Sequence, residues 1–156
     1  MPDLAMRLET SSGPYTNAAG ENSYVFDTRI AIGIVDDSFD GIERDGRPAI
    51  PVIGGASMYL PEYTYNLHNA PDYYHVDGNM QGMYADNPVP AEALPNAIKE
   101  LVLAEPGKTH IATFLGRESI LSALEEFDHQ DDKSRAEYLK RVVLIAVNYG
   151  QRQIPG

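Results

Sequence analysis

Two imidazoles and two carboxylates fall within ten residues, His68, Asp72, His75 and Asp77 in the run H-N-A-P-D-Y-Y-H-V-D. Imidazole nitrogen and carboxylate oxygen are ligands that zinc, manganese and iron accept, and one loop can fold four such groups around an ion. The spacing matches no established metal motif. A helix would align His68 with Asp72, but Pro71 opposes one there. The competing reading is that loop histidines and aspartates satisfy nearby backbone groups or face water. The four residues therefore stand as a candidate divalent-metal or catalytic site. Glu62, Asp72, Asp77 and Asp86 form a candidate acid–base set of the kind that sugar-processing sites use.

Other chemistry-bearing patterns are incomplete. The turn D-D-S-F-D-G puts Asp36, Ser38, Asp40 and Gly41 at the first, third, fifth and sixth positions of a calcium loop of the EF-hand kind. Position twelve is Arg47 where a bidentate glutamate should close the cage, so an ordinary Asp/Gly turn competes with a looser calcium site. The run from Asp77 to Gly82 echoes the same spacing more faintly. None of Ser38, Ser57, Ser119, Ser122 and Ser134 sits in a nucleophile elbow. Gly54-Gly55 lacks the lysine of a phosphate loop, and Gly107-Lys108-Thr109 lacks its upstream glycine, because position 102 is Val. The chain has no cysteine, which removes thiolate nucleophiles, disulfides and cysteine-ligated metals.

The histidines lie inside a stretch that holds six of the ten tyrosines, Tyr59, Tyr63, Tyr65, Tyr73, Tyr74 and Tyr84. Tyrosine combines a large, stiff apolar body with a polar tip, which suits it to protein–protein contacts. Met58, Met80 and Met83 add adaptable apolar surface. The segment from Tyr59 to Tyr84 keeps neither the helical nor the strand period, so it is expected to be a long irregular loop. Such loops are either functional or held by a neighbour. Half of these rings are expected to pack beneath the loop, and the others to meet a partner or ligand.

The elements around this stretch set its position. Residues 1–23 are rich in Ser, Gly, Asn, Ala and Thr, the composition of an extended N-terminal arm, with a single α+β domain expected over 24–156. Tyr24 to Val35 alternates as a strand, with Tyr24, Phe26, Thr28, Ile30, Ile32 and Ile34 on a core face. A second extended run, Ala49 to Leu60, is flanked by Pro48 and contains Pro51 and Gly54-Gly55, so it belongs at a sheet edge or holds a bulge. Pro95 opens a helix whose stripe is Leu94, Ile98, Leu101 and Val102, and Pro106-Gly107 stops it. Lys108 to Leu115 reads as a strand. Gly116 to Phe127 reads as a helix with Ile120, Leu121, Leu124 and Phe127 on one face. A third helix starts near Asp132, whose carboxylate can cap it. Its residues Leu139, Val142, Val143, Ala146 and Val147 share a face, and Leu144 and Ile145 extend that surface nearly all round. The expected architecture is α+β, with a small, mostly antiparallel sheet early and three helices late.

Twenty-three acidic residues against twelve basic ones give a net charge of −11. That balance opposes direct binding to nucleic acid or to anionic membranes, which demand a basic footprint. The N-terminus lacks the layout of a signal peptide, and no apolar run approaches the ~20 residues needed to span a bilayer, so a soluble, cytoplasmically made protein is expected. Three functions fit these observations. The first is a non-enzymatic structural or interaction subunit of a larger protein assembly, homo-oligomeric or mixed, such as a phage capsid, cement, decoration or tail component. It needs no cofactor, and its location would be the virion. The second is a small enzyme or ligand-binding protein using the His/Asp/Tyr cluster, with or without a divalent metal. The third is an acidic mimic of nucleic acid, to which the interspersed Arg29, Arg44, Arg47, Lys133, Arg135, Lys140 and Arg141 are ill suited.

Overall fold

A computed structural model describes residues 2–16, 18–35, 43–44, 47–50, 52–61, 83–84 and 88–154. The strands are β1 (Asp3–Thr16), β2 (Asn22–Val35), β3 (Glu43–Arg44), β4 (Arg47–Ile50), β5 (Val52–Pro61), β6 (Met83–Tyr84) and β7 (Thr109–Leu115). The helices are α1 (Leu94–Leu103), preceded by a 3₁₀ turn over Ala91–Ala93, then α2 (Arg117–Phe127) and α3 (Lys133–Gln153). A four-stranded sheet runs in the order β5-β2-β1-β7 with every neighbouring pair antiparallel. β3, β4 and β6 make a smaller ladder. The α+β expectation holds, with the sheet early and three helices late.

The N-terminal arm does not. Residues 3–16 form β1, one of the two central strands, paired with β2 on one side and β7 on the other. The reason is visible in D-L-A-M-R-L-E-T: Leu4, Met6 and Leu8 alternate with Ala5, Arg7 and Glu9, and all three are fully buried. On β2 the buried positions are Phe26, Thr28, Ile30 and Ile32, and on β7 they include Ala112 and Phe114. Register places these side by side, with Met6 opposite Ile32 and Phe114, and Leu8 opposite Ile30 and Ala112. The result is one continuous apolar sheet face.

The helices cover that face. Ile98 and Leu101 of α1, Ile120 and Phe127 of α2, and Leu139 and Val143 of α3 join the strand residues in a single cluster. Each such buried side chain contributes roughly 1.5–3 kcal/mol relative to exposure. Two side chains of the expected stripes stay outside: Leu121 of α2 is 56% exposed and Leu144 of α3 is 40% exposed. The third helix is therefore buried on one side and not nearly all round within this chain.

Long-range contacts fix the helix ends. Asp3 of β1 caps α2 in place of Gly116, its Oδ1 accepting from Arg117 N at 2.9 Å and from Leu4 N at 2.8 Å. Gly116 has φ 99°, and a Cβ there would stand 3.2 Å from Asp3 Oδ2, so glycine suits both backbone and neighbour. α1 ends at Ala104 in the left-handed region, φ 41°, with its N–H bonded to Glu100 O, two residues before the Pro106-Gly107 pair. Arg135 of α3 then donates to the carbonyls of Val102 and Leu103, the last of α1. The same guanidinium lies 4.8 Å from the Phe26 ring centroid, and Phe26 meets Tyr138 edge-on at 6.0 Å. Asp132 caps α3 as expected, accepting from Arg135 N at 3.1 Å.

At the β5 edge, the extended run predicted over Ala49–Leu60 divides into β4 and β5, and β5 carries a register irregularity opposite Ile32 and Gly33. Both the edge position and the bulge expected from its prolines and glycines are present. Gly54 has a second reason to lack a side chain: a Cβ would fall 2.5 Å from the Tyr149 ring, whose hydroxyl donates to Ile53 O at 3.0 Å.

Candidate functional site

The odd-numbered residues of β1 and β2 face away from the helices, and among the described residues no helix packs on that side. One end of this face is apolar: Ala5 and Ala31 are buried with Ile50 of β4, and Val35 and Val52 pack against them. The other end is polar. Register sets Glu9 opposite Arg29 and Ser11 opposite Asp27 on β1 and β2, with Ser57 of β5 beside Arg29 and Thr109 of β7 beside Ser11. These residues line a shallow concavity of about 350 Å³. Arg7 Nη1 reaches Glu9 Oε2 at 3.5 Å. Desolvation in the concavity raises the Asp27 carboxyl above its ordinary value, and the Arg29 charge opposes that shift. Two guanidinium groups and two carboxylates thus alternate across adjacent strands. The arrangement can receive a zwitterionic or mixed-charge surface.

Beyond this concavity the two central strands continue without flanking partners. β7 pairs with β1 only as far as Ser11, and β5 pairs with β2 only from Val25, yet β1 and β2 pair on to Thr16 and Asn22. The overhang is a two-stranded ribbon from Gly13 to Tyr24. Its Tyr24 is 47% exposed, and no atom lies within 4 Å of where a Cβ would stand on Gly13 or Gly20. The carbonyls of Leu4 and Ser12 both accept from the β7 side, from Gly116 N at 2.8 Å and Gly107 N at 3.2 Å. By the two-residue period Pro14 turns its backbone nitrogen to that same edge. Having no N–H, it blocks strand addition there.

The sequence-derived candidates fall elsewhere. His68, Asp72, His75 and Asp77 lie outside the described residues, as do Tyr63, Tyr65, Tyr73 and Tyr74, the calcium-loop candidates Asp36, Ser38, Asp40 and Gly41, and the acid–base candidates Glu62 and Asp86. Tyr59 is placed in β5 opposite Asp27, and Tyr84 in β6 opposite Ala49. Among the described residues no group of three or more His, Cys, Asp or Glu side chains is placed to hold a metal ion. No helix is long and apolar enough to cross a membrane. The polar end of the open face was not singled out from sequence, although R-L-E-T-S in β1 and D-T-R in β2 carry its alternation of charged and apolar residues.

Fold and surface together define a two-layer α+β protein with one helix-covered sheet face, one partly open face and an overhanging β-ribbon. Comparison with protein-family models, with curated proteins and with solved structures gives no match.

Proposed function

We propose that this chain is a non-enzymatic interaction subunit of a larger protein assembly, of the kind that builds a phage virion as a capsid, cement, decoration or tail component. The observation that carries this reading is the overhanging ribbon, Gly13 to Tyr24. A two-stranded ribbon is at best marginally stable alone in water. A chain that extends its central strands beyond their flanking neighbours gains little for its own core and presents a stiff projection to another molecule. The concavity of alternating charge at the ribbon's base supplies a second polar contact for a docked subunit. An ordered β1 has removed the argument from a loose arm; the ribbon takes its place.

The test is the assembly state of the full chain by light scattering and by imaging of the native particle. Assembled species at micromolar concentration are expected. Joining Gly13 to Val25 through a two-residue Asn-Gly turn removes the projection while keeping the register of the remaining sheet. That variant should melt as the parent does and lose large assemblies. A parent chain that stays strictly monomeric overturns the reading.

A further inference from the structure

Single exposed leucines are ordinary on protein surfaces. α2 and α3 each carry one, and the two sit in matching frames of opposite charge. In α2, Leu121 is 56% exposed, and Glu118 and Glu125, three residues before and four after it, are exposed on the same stripe. In α3, Leu144 is 40% exposed, and the same two offsets hold Arg141 and Asn148. The charge of the whole elements follows this difference. α3 carries Lys133, Arg135, Lys140, Arg141 and Arg152 against the single acid Glu137, a net +4 in a chain of −11. α2 carries Arg117 against Glu118, Glu125 and Glu126, a net −2.

We propose that these stripes are the two halves of a self-complementary contact between two copies of this chain, α2 of one copy lying on α3 of the other and the reverse across a two-fold axis. The inference rests on the assembly reading above and names one of its contacts. Two copies that each carry −11 repel at distance, so a stable contact must bring basic surface of one onto acidic surface of the other. α3 supplies the basic surface and α2 the acidic one. Both helices belong to the same layer and pack against each other, so a two-fold axis between two such layers satisfies both pairings at once and closes the contact. Stacking α2 on α2 would set Glu118 and Glu125 against their own copies. In the crossed arrangement Leu121 meets Leu144 at the centre, and the charges form the rim.

Sedimentation equilibrium of the full chain tests this. The parent is expected to dimerise, more weakly as salt rises. Glu118→Lys with Glu125→Lys, and separately Arg141→Glu, should each weaken the dimer by roughly tenfold or more through like-charge contact. Mixing the two variants should restore dimers, because each heterodimer then pairs lysine with glutamate in one half and keeps the parent pairing in the other. Asn148→Glu, at an exposed position, replaces Arg141→Glu if the latter fails to fold by circular dichroism. The ribbon-shortened chain should keep this dimer. Variants that dimerise like the parent, or a mixture that does not recover, overturn the contact while leaving assembly standing. A monomeric parent overturns both.

Discussion

The two faces of the central sheet are built from the same strands and differ at every alternate residue. On the helix-covered face Leu4, Met6, Leu8, Phe26, Ile30 and Ile32 are buried at 2% exposure or less. One residue along in each strand, the open face offers Arg7, Glu9, Asp27 and Arg29 around a shallow concavity. Close packing makes the first face intolerant of lost volume. The second is wetter and should tolerate substitution with little loss of stability. Neighbouring residues in one strand thus report on stability and on contact separately.

The sharpest way to break that contrast is at Phe26 and Asp27. Phe26 is 1% exposed, meets Tyr138 edge-on and lies beneath Arg135. Phe26→Ala should cost about 3–5 kcal/mol in urea denaturation, the range for a buried aromatic ring that leaves a cavity. Asp27→Ala, on the other face, should change stability by about 0.5 kcal/mol or less. Comparable losses at the two sites would mean that the open face is covered in the native molecule.

Overpacking comes next. Gly150 of α3 faces Ile32 Cγ1 and Leu4 Cδ2, which a Cβ would meet at 2.9 and 3.0 Å, and Gly54 of β5 faces the Tyr149 ring. Gly54→Ala and Gly150→Ala should each cost about 1–3 kcal/mol by thermal or urea melts, although alanine is the better helix former at position 150. Gly13→Ala in the ribbon, where the space is open, should leave the melt unchanged to within about 0.5 kcal/mol.

What the sequence made legible follows the same division. The helix stripes Leu94-Ile98-Leu101-Val102 and Leu139-Val142-Val143-Ala146 and the alternation of β2 rest on local periodicity, and the fold uses them as read. β1 was obscured because Ser, Gly and Thr in its second half gave it the composition of a linker, while Leu4, Met6 and Leu8 already carried a strand's period. Those small polar residues belong to the ribbon, where no core demands bulk. Leu121 and Leu144 were misassigned for another reason: a hydrophobic residue beside a buried stripe can join it or stay out, and only the tilt of the helix on its neighbours decides. The polar end of the open face needed the pairing of β1 with β2, β5 and β7, a long-range fact that spacing within one strand does not contain.

Within the covered face, one cross-strand pair offers a finer comparison. Thr10 and Thr28 are opposite each other and both buried. Thr10 Oγ1 donates to Leu101 O at 2.8 Å, near the end of α1, whereas Thr28 Oγ1 has no partner. Thr10→Val should destabilise by about 1–2 kcal/mol, because the carbonyl loses its donor. Thr28→Val removes a buried hydroxyl that makes no bond and should be neutral or stabilising by up to about 1 kcal/mol. Urea melts of the two variants and of the double variant measure the difference, and equal losses would mean that Thr28 gains a donor or acceptor in solution.

The smallest effect separates the faces by pH. Asp27 on the open face has its carboxyl raised above 3.8 by desolvation, so its favourable contribution is present below pH 3.8 and is lost as pH rises through the folded value. Asp128, after α2, has its carboxyl lowered below 3.8, chiefly by the Lys140 ammonium that donates to both of its oxygens at 2.8 and 3.0 Å. Its contribution is present above pH 3.8 and is lost as pH falls through the folded value. Measured against the parent across the acid range, Asp27→Asn should therefore become relatively more stable as pH rises, and Asp128→Asn relatively less so. Both changes should be small, since exposed ion pairs contribute little and are screened by salt. Slopes of the same sign would show that Asp27 has an ion-pair partner strong enough to outweigh its desolvation, and the open face would then be an electrostatic lattice closed on itself and not a surface poised for another chain.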